Sequence, residues 1–409
     1  LAKILKPFLK NKKIEIQIDK SSNYRLISFS FIKMTYNLTK IFFKKIYQLY
    51  TCKITNINKK KNIYEKIILI DTFVLPGFYN KDRYFSGLLQ NINNYKKEKV
   101  FYSPVVAYTS IKNYYKVYKK LRNSKLKLIL KEDFLKYYDV FSSVTEIFFS
   151  KFSKFKKINY KNIDFSELFN FEIINGIGDD MTIEGILNYK FVRRLKEKKV
   201  NINCVIDWWE NQAIDKGLSK GIQTFYPKTK LIGYLGYYPR QFELQLLPLK
   251  IEYELKCIPN TIAVIGNKIK KKIGIYENKL KVITAPAFRF SYLWNLKKKN
   301  NKNKVNILVA LPVIEQDISR ILNSIPLSLY KNKRIKINIK THPTMTKQAL
   351  NKFLNKKNKI RYNISSGGIH KNFEKTDILI STSSIACLEA LSLGISVINI
   401  KRQIGMDYH

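Results

Sequence analysis

From Lys66 onward the chain alternates short runs rich in Ile, Val and Leu with longer polar stretches that suit helices. The runs are IILIDTFV (67–74), VFYSPVVAY (100–108), LKLIL (126–130), NINCVIDWW (201–209), KLIGYLGY (230–237) and TIAVIG (261–266). Such alternation selects a mostly parallel sheet covered on both faces, because parallel neighbours need a crossover, and a helix supplies it. A second series follows: NILVALP (306–312), a helix over 314–324, RIKINIKTHP (334–343), a helix over 346–355, IRYNI (360–364), DILIST (377–382), a helix over 384–393 and SVINI (396–400). Between the series lie a turn-like APAFRFSYLW segment (285–294) and the charged run NLKKKNNKNK (295–304), which reads as a linker. The expected architecture is α/β, with two Rossmann-like domains whose mostly parallel sheets face each other across a cleft. Residues 61–294 would form the first domain, with a helical insertion at about 134–188, and residues 305–409 the second. Residues 1–60 suit either a partial first unit or a pair of surface helices, and no internal repeat is visible.

Length and composition agree with two large cores. At about 150 residues per domain, 409 residues correspond to two or three domains. Apolar residues make up 45% of the chain, with 27 Tyr and 25 Phe, which excludes a disordered polyelectrolyte. The net charge of +46 invites a nucleic-acid reading, but Lys outnumbers Arg about six to one. Readers of bases and phosphates lean on the bidentate Arg fork, so the Lys excess is read as solvated surface and no nucleic-acid partner is expected. A cationic surface also suits peripheral contact with an anionic membrane. Cys52, Cys204, Cys257 and Cys387 are far apart and form no metal-ligand spacing with the three His, which points to buried thiols in a reducing cytoplasm. Every apolar run is interrupted by Lys, Asn or Gln well before it could span a bilayer, and no signal peptide of the usual build is present. The chain opens with Leu1 rather than Met, so a missing start is expected.

Two segments of the second series carry chemistry. In DILISTSSIACLEALSLG (377–394) a buried-type strand leads through Thr382, Ser383 and Ser384 into a helix with Ile385, Leu388 and Leu391 on one stripe. Free backbone N–H groups, the positive end of the helix dipole and three hydroxyls meet there, which suits a phosphate. Ordinary capping, with Ser at the start and Gly394 at the end, is the competing reading. His342-Pro343 closes the strand before it. In a parallel sheet both strand ends lie on one edge, and Pro343 restrains the backbone of His342, so the imidazole is placed to bind the same phosphate. Against this stands the reading of His342 as a structural or merely exposed residue.

The HP motif at 342–343, the serine pair at 383–384, Glu389 on the following helix and the Gly394–strand unit together resemble the C-terminal domain of GT-B glycosyltransferases. They are most similar to those using CMP-activated sugars, the capsular Kdo transferases and the bacterial sialyl- and polysialyltransferases. The resemblance implies that His342, Ser383 and Ser384 bind the CMP phosphate and that Glu389 reaches the nucleoside. In DTFVLPGFYNKDRYFSGLL (71–89), LNYKFVRRLKEKKVNINCVIDWWENQAIDKG (187–217) and APAFRFSYLW the chain also resembles uncharacterised surface-carbohydrate biosynthesis proteins of bacterial O-antigen loci. The family usually continues through further closing helices, whereas this chain stops nine residues after SVINI, so a truncated C-terminus is expected.

The first domain should supply the acceptor site and a base. Asp207, Glu210, Asn211, Gln212 and Asp215 follow a strand directly in VIDWWENQAIDKG, where open α/β sheets present ligand-facing groups. Glu210 is the first candidate base and Asp207 the second, with Trp209 and Gln212 as acceptor contacts. The alternative is that the Trp208–Trp209 pair packs the core and that Glu210 and Asp215 cap or solubilise the next helix. Asp179 and Asp180 before another helix read as caps. Arg83 in KDRYF and Arg289 in APAFRF are candidate anion contacts or structural residues. The implied reaction is displacement at the anomeric carbon of a nucleotide sugar, with a lipid-linked or oligosaccharide acceptor. It calls for no cofactor and no metal, and no DxD pair of the metal-holding kind is found. A CDP-alcohol phosphotransferase, a UDP-sugar epimerase and a non-catalytic scaffold of the same locus remain as alternatives.

Overall fold

The structure, a computed structural model, describes residues 22–56, 66–74, 79–80, 82–92, 99–106, 109–152, 158–160, 163–176, 178–239, 243–274, 279–296, 304–312, 314–342, 345, 362–382 and 384–402. The chain begins with α1 (Ser22–Ile54), then β1 (Ile67–Phe73), β2 (Val100–Val105), α2 (Tyr114–Arg122), α3 (Lys131–Phe134) and α4 (Tyr137–Ser150). An antiparallel ribbon, β3 (Asn159–Tyr160) with β4 (Ile163–Asp164), precedes α5 (Ser166–Asn175) and α6 (Asp179–Glu197). There follow β5 (Ile202–Trp208), α7 (Ala213–Phe225), β6 (Lys230–Leu235), α8 (Lys250–Glu254), β7 (Thr261–Val264), α9 (Asn267–Gly274) and β8 (Lys281–Thr284). A 3₁₀ segment, Phe288–Leu293, leads into β9 (Val305–Ala310), α10 (Glu315–Ser324), α11 (Leu327–Lys331) and β10 (Ile335–Lys340). The described part ends with β11 (Asn363–Ile364), α12 (His370–Phe373), β12 (Ile378–Ser381), α13 (Ile385–Ser392) and β13 (Ser396–Asn399).

Two parallel sheets organise these elements. The first has six strands in the order β2-β1-β5-β6-β7-β8, and the second has five in the order β11-β10-β9-β12-β13. Their central strands are buried on both faces, as the continuous β-branched runs require: Leu69, Ile70 and Val205 in one sheet, Leu308, Val309 and Leu379 in the other. In each sheet the strand order reverses once, between β1 and β5 and between β9 and β12. Such reversal points leave a crevice at the carboxyl ends of the strands, where ligands of open α/β sheets bind.

Three expectations needed correction. LKLIL (126–130) is not a strand of the sheet; Leu128 makes a single bridge to Tyr102, because α3 starts at Lys131 and ends the extended run. The described part ahead of β1 is one 33-residue helix, α1, rather than a partial unit or a helix pair. A further strand of the first sheet, β8, lies at KVIT (281–284), too short to stand out among lysines. The expected helix over 346–355 lies outside the described residues.

Helices α6 and α7 cross almost backbone to backbone. A Cβ on Gly217 would lie 1.8 Å from the Gly185 carbonyl oxygen, and one on Gly185 would lie 2.3 Å from that of Ala213. That contact brings the N-terminus of α7 against α6 and fixes the loop after β5. Beneath it runs a buried polar network. The Glu184 carboxylate on α6 is held between Lys45 of α1 and Lys131 of α3, and Lys131 also donates to Asn188 Oδ1 at 2.7 Å. Asp179 and Asp180 pair with lysines: Asp179 with Lys151 at 2.8 Å, Asp180 with Lys44 at 2.6 Å. Among the described residues no helix is long and apolar enough to cross a membrane.

Candidate functional site

The segment between the sheets is anchored on both of them. The Tyr234 hydroxyl donates to the Pro286 carbonyl and accepts from the Phe288 N–H, both at 2.9 Å, which pins the start of the 3₁₀ turn to the first sheet. Its far end belongs to the second: Leu293 and Leu296 pack with Leu308, Phe373 and Leu379, and the Tyr292 ring meets His370 at 5.2 Å. Arg289 therefore stands at the junction, with its guanidinium over the rings of Tyr84 and Trp208, each at 5.6 Å.

Arg83 is placed by its neighbour. Asp82 accepts from Thr72 Oγ1 and from the N–H groups of Tyr84 and Phe85, all at 3.0 Å, and folds the loop over the carboxyl end of β1. The Tyr84 ring thereby lies against Trp208, with centroids 4.4 Å apart and planes tilted by 51°, while Arg83 stays exposed. Arg83 lies close enough to act on three groups from other elements. Burial and then Arg83 pull the Arg289 guanidinium down from its ordinary value, opposed by Tyr84, Glu210 and Glu389. Burial and then Arg83 hold the His342 imidazole below its usual value, so it is neutral at pH 7. Burial pushes the Glu389 carboxyl up, against the Tyr292 hydroxyl bonded to it and the charges of Arg289 and Arg83. Arg83, Arg289, Tyr292, His342 and Glu389 thus share one electrostatic neighbourhood between the sheets.

The second-sheet side is built at the β9/β12 crevice. Ser381 Oγ donates to the Ala310 carbonyl at 2.9 Å, tying β12 to β9, and β10 with His342 beyond it flanks β9 on the other side. Thr382 is fully buried, and its hydroxyl has no hydrogen-bond partner among the described residues. Ser384 occupies the N-cap position of α13 with extended backbone, but its side chain makes no capping hydrogen bond; Oγ lies 3.8 Å from Cys387 Sγ. Side-chain capping therefore does not account for Ser384; in the first turn of α13 the Cys387 N–H donates to the Ser384 carbonyl at 3.0 Å. Pro343 and Ser383 lie outside the described residues.

On the first-sheet side the segment after β5 separates into roles. Trp208 and Trp209 point to opposite faces, as successive strand residues do. Trp208 lies against Tyr84, Phe85 and Tyr234 beneath the cleft, whereas Trp209 is sealed in a core with Leu235, Leu246 and Ile262 and offers no face to an acceptor. Glu210 is half-buried, with Oε1 accepting from Trp208 Nε1 at 2.7 Å and Oε2 from Gln212 Nε2 at 2.9 Å. Asp215 accepts from the N–H groups of Glu210 and Gln212 at 2.8 and 2.9 Å and so caps α7. Burial pushes its carboxyl up to about 7. Asp207 is fully buried beside Asp71 on the paired strand, with no hydrogen-bond partner on either oxygen among the described residues, and so is not placed to meet a substrate. Burial, then Asp215 and Asp71, raise it well above the usual carboxylate range.

Sequence reasoning missed Asp82, Tyr84 and Tyr292 as parts of this site. The signal lay in KDRYF, where an Asp two and three residues before free N–H groups makes an Asx-type turn, and in the aromatic density of APAFRFSYLW. Cys52 and Cys387 are buried and Cys204 and Cys257 half-buried, all as free thiols. Among the described residues no group of three or more His, Cys, Asp or Glu is arranged to hold a metal.

No protein-family model matches the chain, and no curated protein matches it. Among solved structures it is similar to UDP-GlcNAc 2-epimerase from Neisseria meningitidis bound to UDP-GlcNAc, at 14% identity over 84% of this chain and 88% of that one, with a TM-score of 0.45. It is similar also to MurG from Acinetobacter baumannii, at 10% identity over 84% and 81% of the two chains and a TM-score of 0.42. A third is the UDP-forming α,α-trehalose-phosphate synthase from Burkholderia vietnamiensis, at 10% identity over 82% and 88% and a TM-score of 0.40. The class is α/β with two Rossmann-like parallel sheets, as the strand pairing itself shows.

Proposed function

We propose that the chain is a GT-B-type glycosyltransferase that moves a sugar from a CMP-activated donor to a lipid-linked or oligosaccharide acceptor in bacterial surface-polysaccharide assembly. One observation supports the reading: the charge of Arg83, on the loop over the carboxyl end of β1, acts both on Arg289 of the connecting turn, which lies over Tyr84 and Trp208, and on His342 after β10 of the second sheet. Two guanidinium groups and an imidazole in a half-buried cleft suit a phosphate monoanion or dianion. The first turn of α13, with the Ser384 hydroxyl, supplies neutral donors to the same anion. The choice of cytidine monophosphate rests on the resemblance of the HP and serine-pair motifs to those of CMP-sugar-using transferases.

In the proposed reaction Glu210 takes the proton from the acceptor hydroxyl, and the acceptor oxygen bonds to the anomeric carbon. The bond from that carbon to the donor phosphate oxygen breaks, and its electron pair leaves on the phosphate. The hydrogen bonds from Trp208 Nε1 and Gln212 Nε2 fix the Glu210 carboxylate in orientation. Arg83, Arg289 and His342 stabilise the charge that develops on the departing CMP. An arriving phosphate also favours protonation of His342, which is neutral in the free protein.

Nucleotide screening by thermal denaturation tests the reading. CMP at 100 times its dissociation constant should stabilise the fold by about 2.7 kcal/mol, whereas CDP and UDP should leave the midpoint unchanged. Protection by UDP without CMP would move the chain to the epimerase alternative, and protection by none of them would remove the nucleotide site.

A further inference from the structure

Away from the cleft, α1 carries two apolar stripes rather than one. Met34, Leu38, Leu49 and Cys52 face inward and are buried against the first domain. Ile32, Tyr36, Phe43, Tyr47, Tyr50 and Ile54 recur at intervals of three, four or seven residues on the outer side and are exposed, with Tyr36 at 65% and Phe43 at 63%. At 1.5 Å per residue this outer stripe runs for about 33 Å. Helix α4 extends it sideways: Phe42 meets Phe141 at 6.5 Å edge to face, and Tyr138 and Phe149 are 66% and 68% exposed. A groove of about 690 Å³ lined by Lys40, Phe43, Lys44, Tyr47, Tyr50 and Tyr137 joins the two helices.

The charge on α1 itself has one sign. Helix α1 contains no Asp or Glu in its 33 residues, and Lys33 and Lys40 stand exposed beside the stripe. On the neighbouring elements Asp139 pairs with Arg193 and Arg194, Asp180 with Lys44, and Glu146 on α4 with Lys190, while α5, which packs on α1, adds the exposed Glu167 and Glu172. A second copy docking face to face would set these lysines against themselves, which disfavours a symmetric dimer here. Exposed aromatics beside lysines instead match the boundary of a bilayer, where rings settle at headgroup depth and ammonium groups meet anionic lipid. α1 is not apolar enough to cross, so it would lie in the plane of the interface.

We infer that the outer faces of α1 and α4 form a docking surface for an anionic bilayer. The whole protein is sedimented with vesicles of phosphatidylcholine alone or of phosphatidylcholine mixed with phosphatidylglycerol. The anionic vesicles should bind it at least ten times more strongly, and raised salt should weaken the binding. Tyr36→Ser with Phe43→Ser and Phe149→Ser should lower partitioning at least about tenfold with an unchanged melting midpoint, because all three rings are mostly exposed. Lys33→Gln with Lys40→Gln should narrow the preference for anionic vesicles. Equal binding by the triple variant, absence of binding to both vesicle types, or conversion of a wild-type dimer to monomer by the triple variant would each overturn the inference.

Discussion

Arg289→Ala is expected to lower CMP release from a CMP-activated sugar by about 10²–10³, the loss typical of removing one preorganised donor to developing charge. Its guanidinium stands where the 3₁₀ turn passes from one sheet to the other, within reach of Arg83, Glu210 and Glu389. Steady-state kinetics with a chromatographic assay for CMP would measure the effect. The fold should survive, since the side chain's packing is a cation–π contact over Tyr84 and Trp208, worth about 0.5–2 kcal/mol. Arg289→Lys should recover only part of the rate, because an ammonium keeps the charge but loses the planar stacking and the fork.

The second large effect concerns stability and has two opposite arms. Glu184→Ala should destabilise the protein by about 3–5 kcal/mol, because it leaves Lys45 and Lys131 buried without their shared carboxylate. Asp207→Asn should act the other way, stabilising by roughly 1–2 kcal/mol, because it removes an acid that folding must keep protonated in a buried site beside Asp71 and Asp215, although it would ionise freely in the unfolded chain. The pH dependence separates them. Glu184 is held far below the usual carboxylate range, chiefly by Lys131 and Lys45 against its burial, so its contribution is present above about pH 4.5 and fades in acid. Asp207 and Asp215 are raised, so the folded state binds their protons more tightly than the unfolded chain does. Stability therefore falls as pH rises from about 4 through 7, the value reached by Asp215. Urea denaturation at pH 5 and pH 8 should show the gain from Asp207→Asn larger at pH 8 and the loss from Glu184→Ala substantial at both.

Most strands of both sheets were readable from residue types because the central strands are buried on both faces, and a run such as NILVALP has few other uses; their order in the sheets was not. The same logic failed for α1. Its inner stripe of Met34, Leu38 and Leu49 and its outer stripe of Tyr36, Phe43 and Tyr47 are both apolar, so the amphipathic contrast that marks a surface helix is erased. For the site, His342, Glu389, Arg83 and Arg289 were nameable singly from HP, the serine turn, KDRYF and APAFRF. Their meeting was not, since it depends on how Tyr234 pins the distant Pro286 and Phe288 of the connecting turn. Trp209 was the opposite case: a residue type that suits a sugar face, turned by strand alternation into the core.

The most direct test of the central claim is the release of CMP from a CMP-activated sugar by the wild-type protein and by His342→Ala, assayed side by side with acceptor present. Turnover by the wild type and a loss of about 100-fold or more in the variant, with both proteins equally folded, is the predicted result. Equal turnover in the two, or none in the wild type with any CMP-sugar offered, would contradict it.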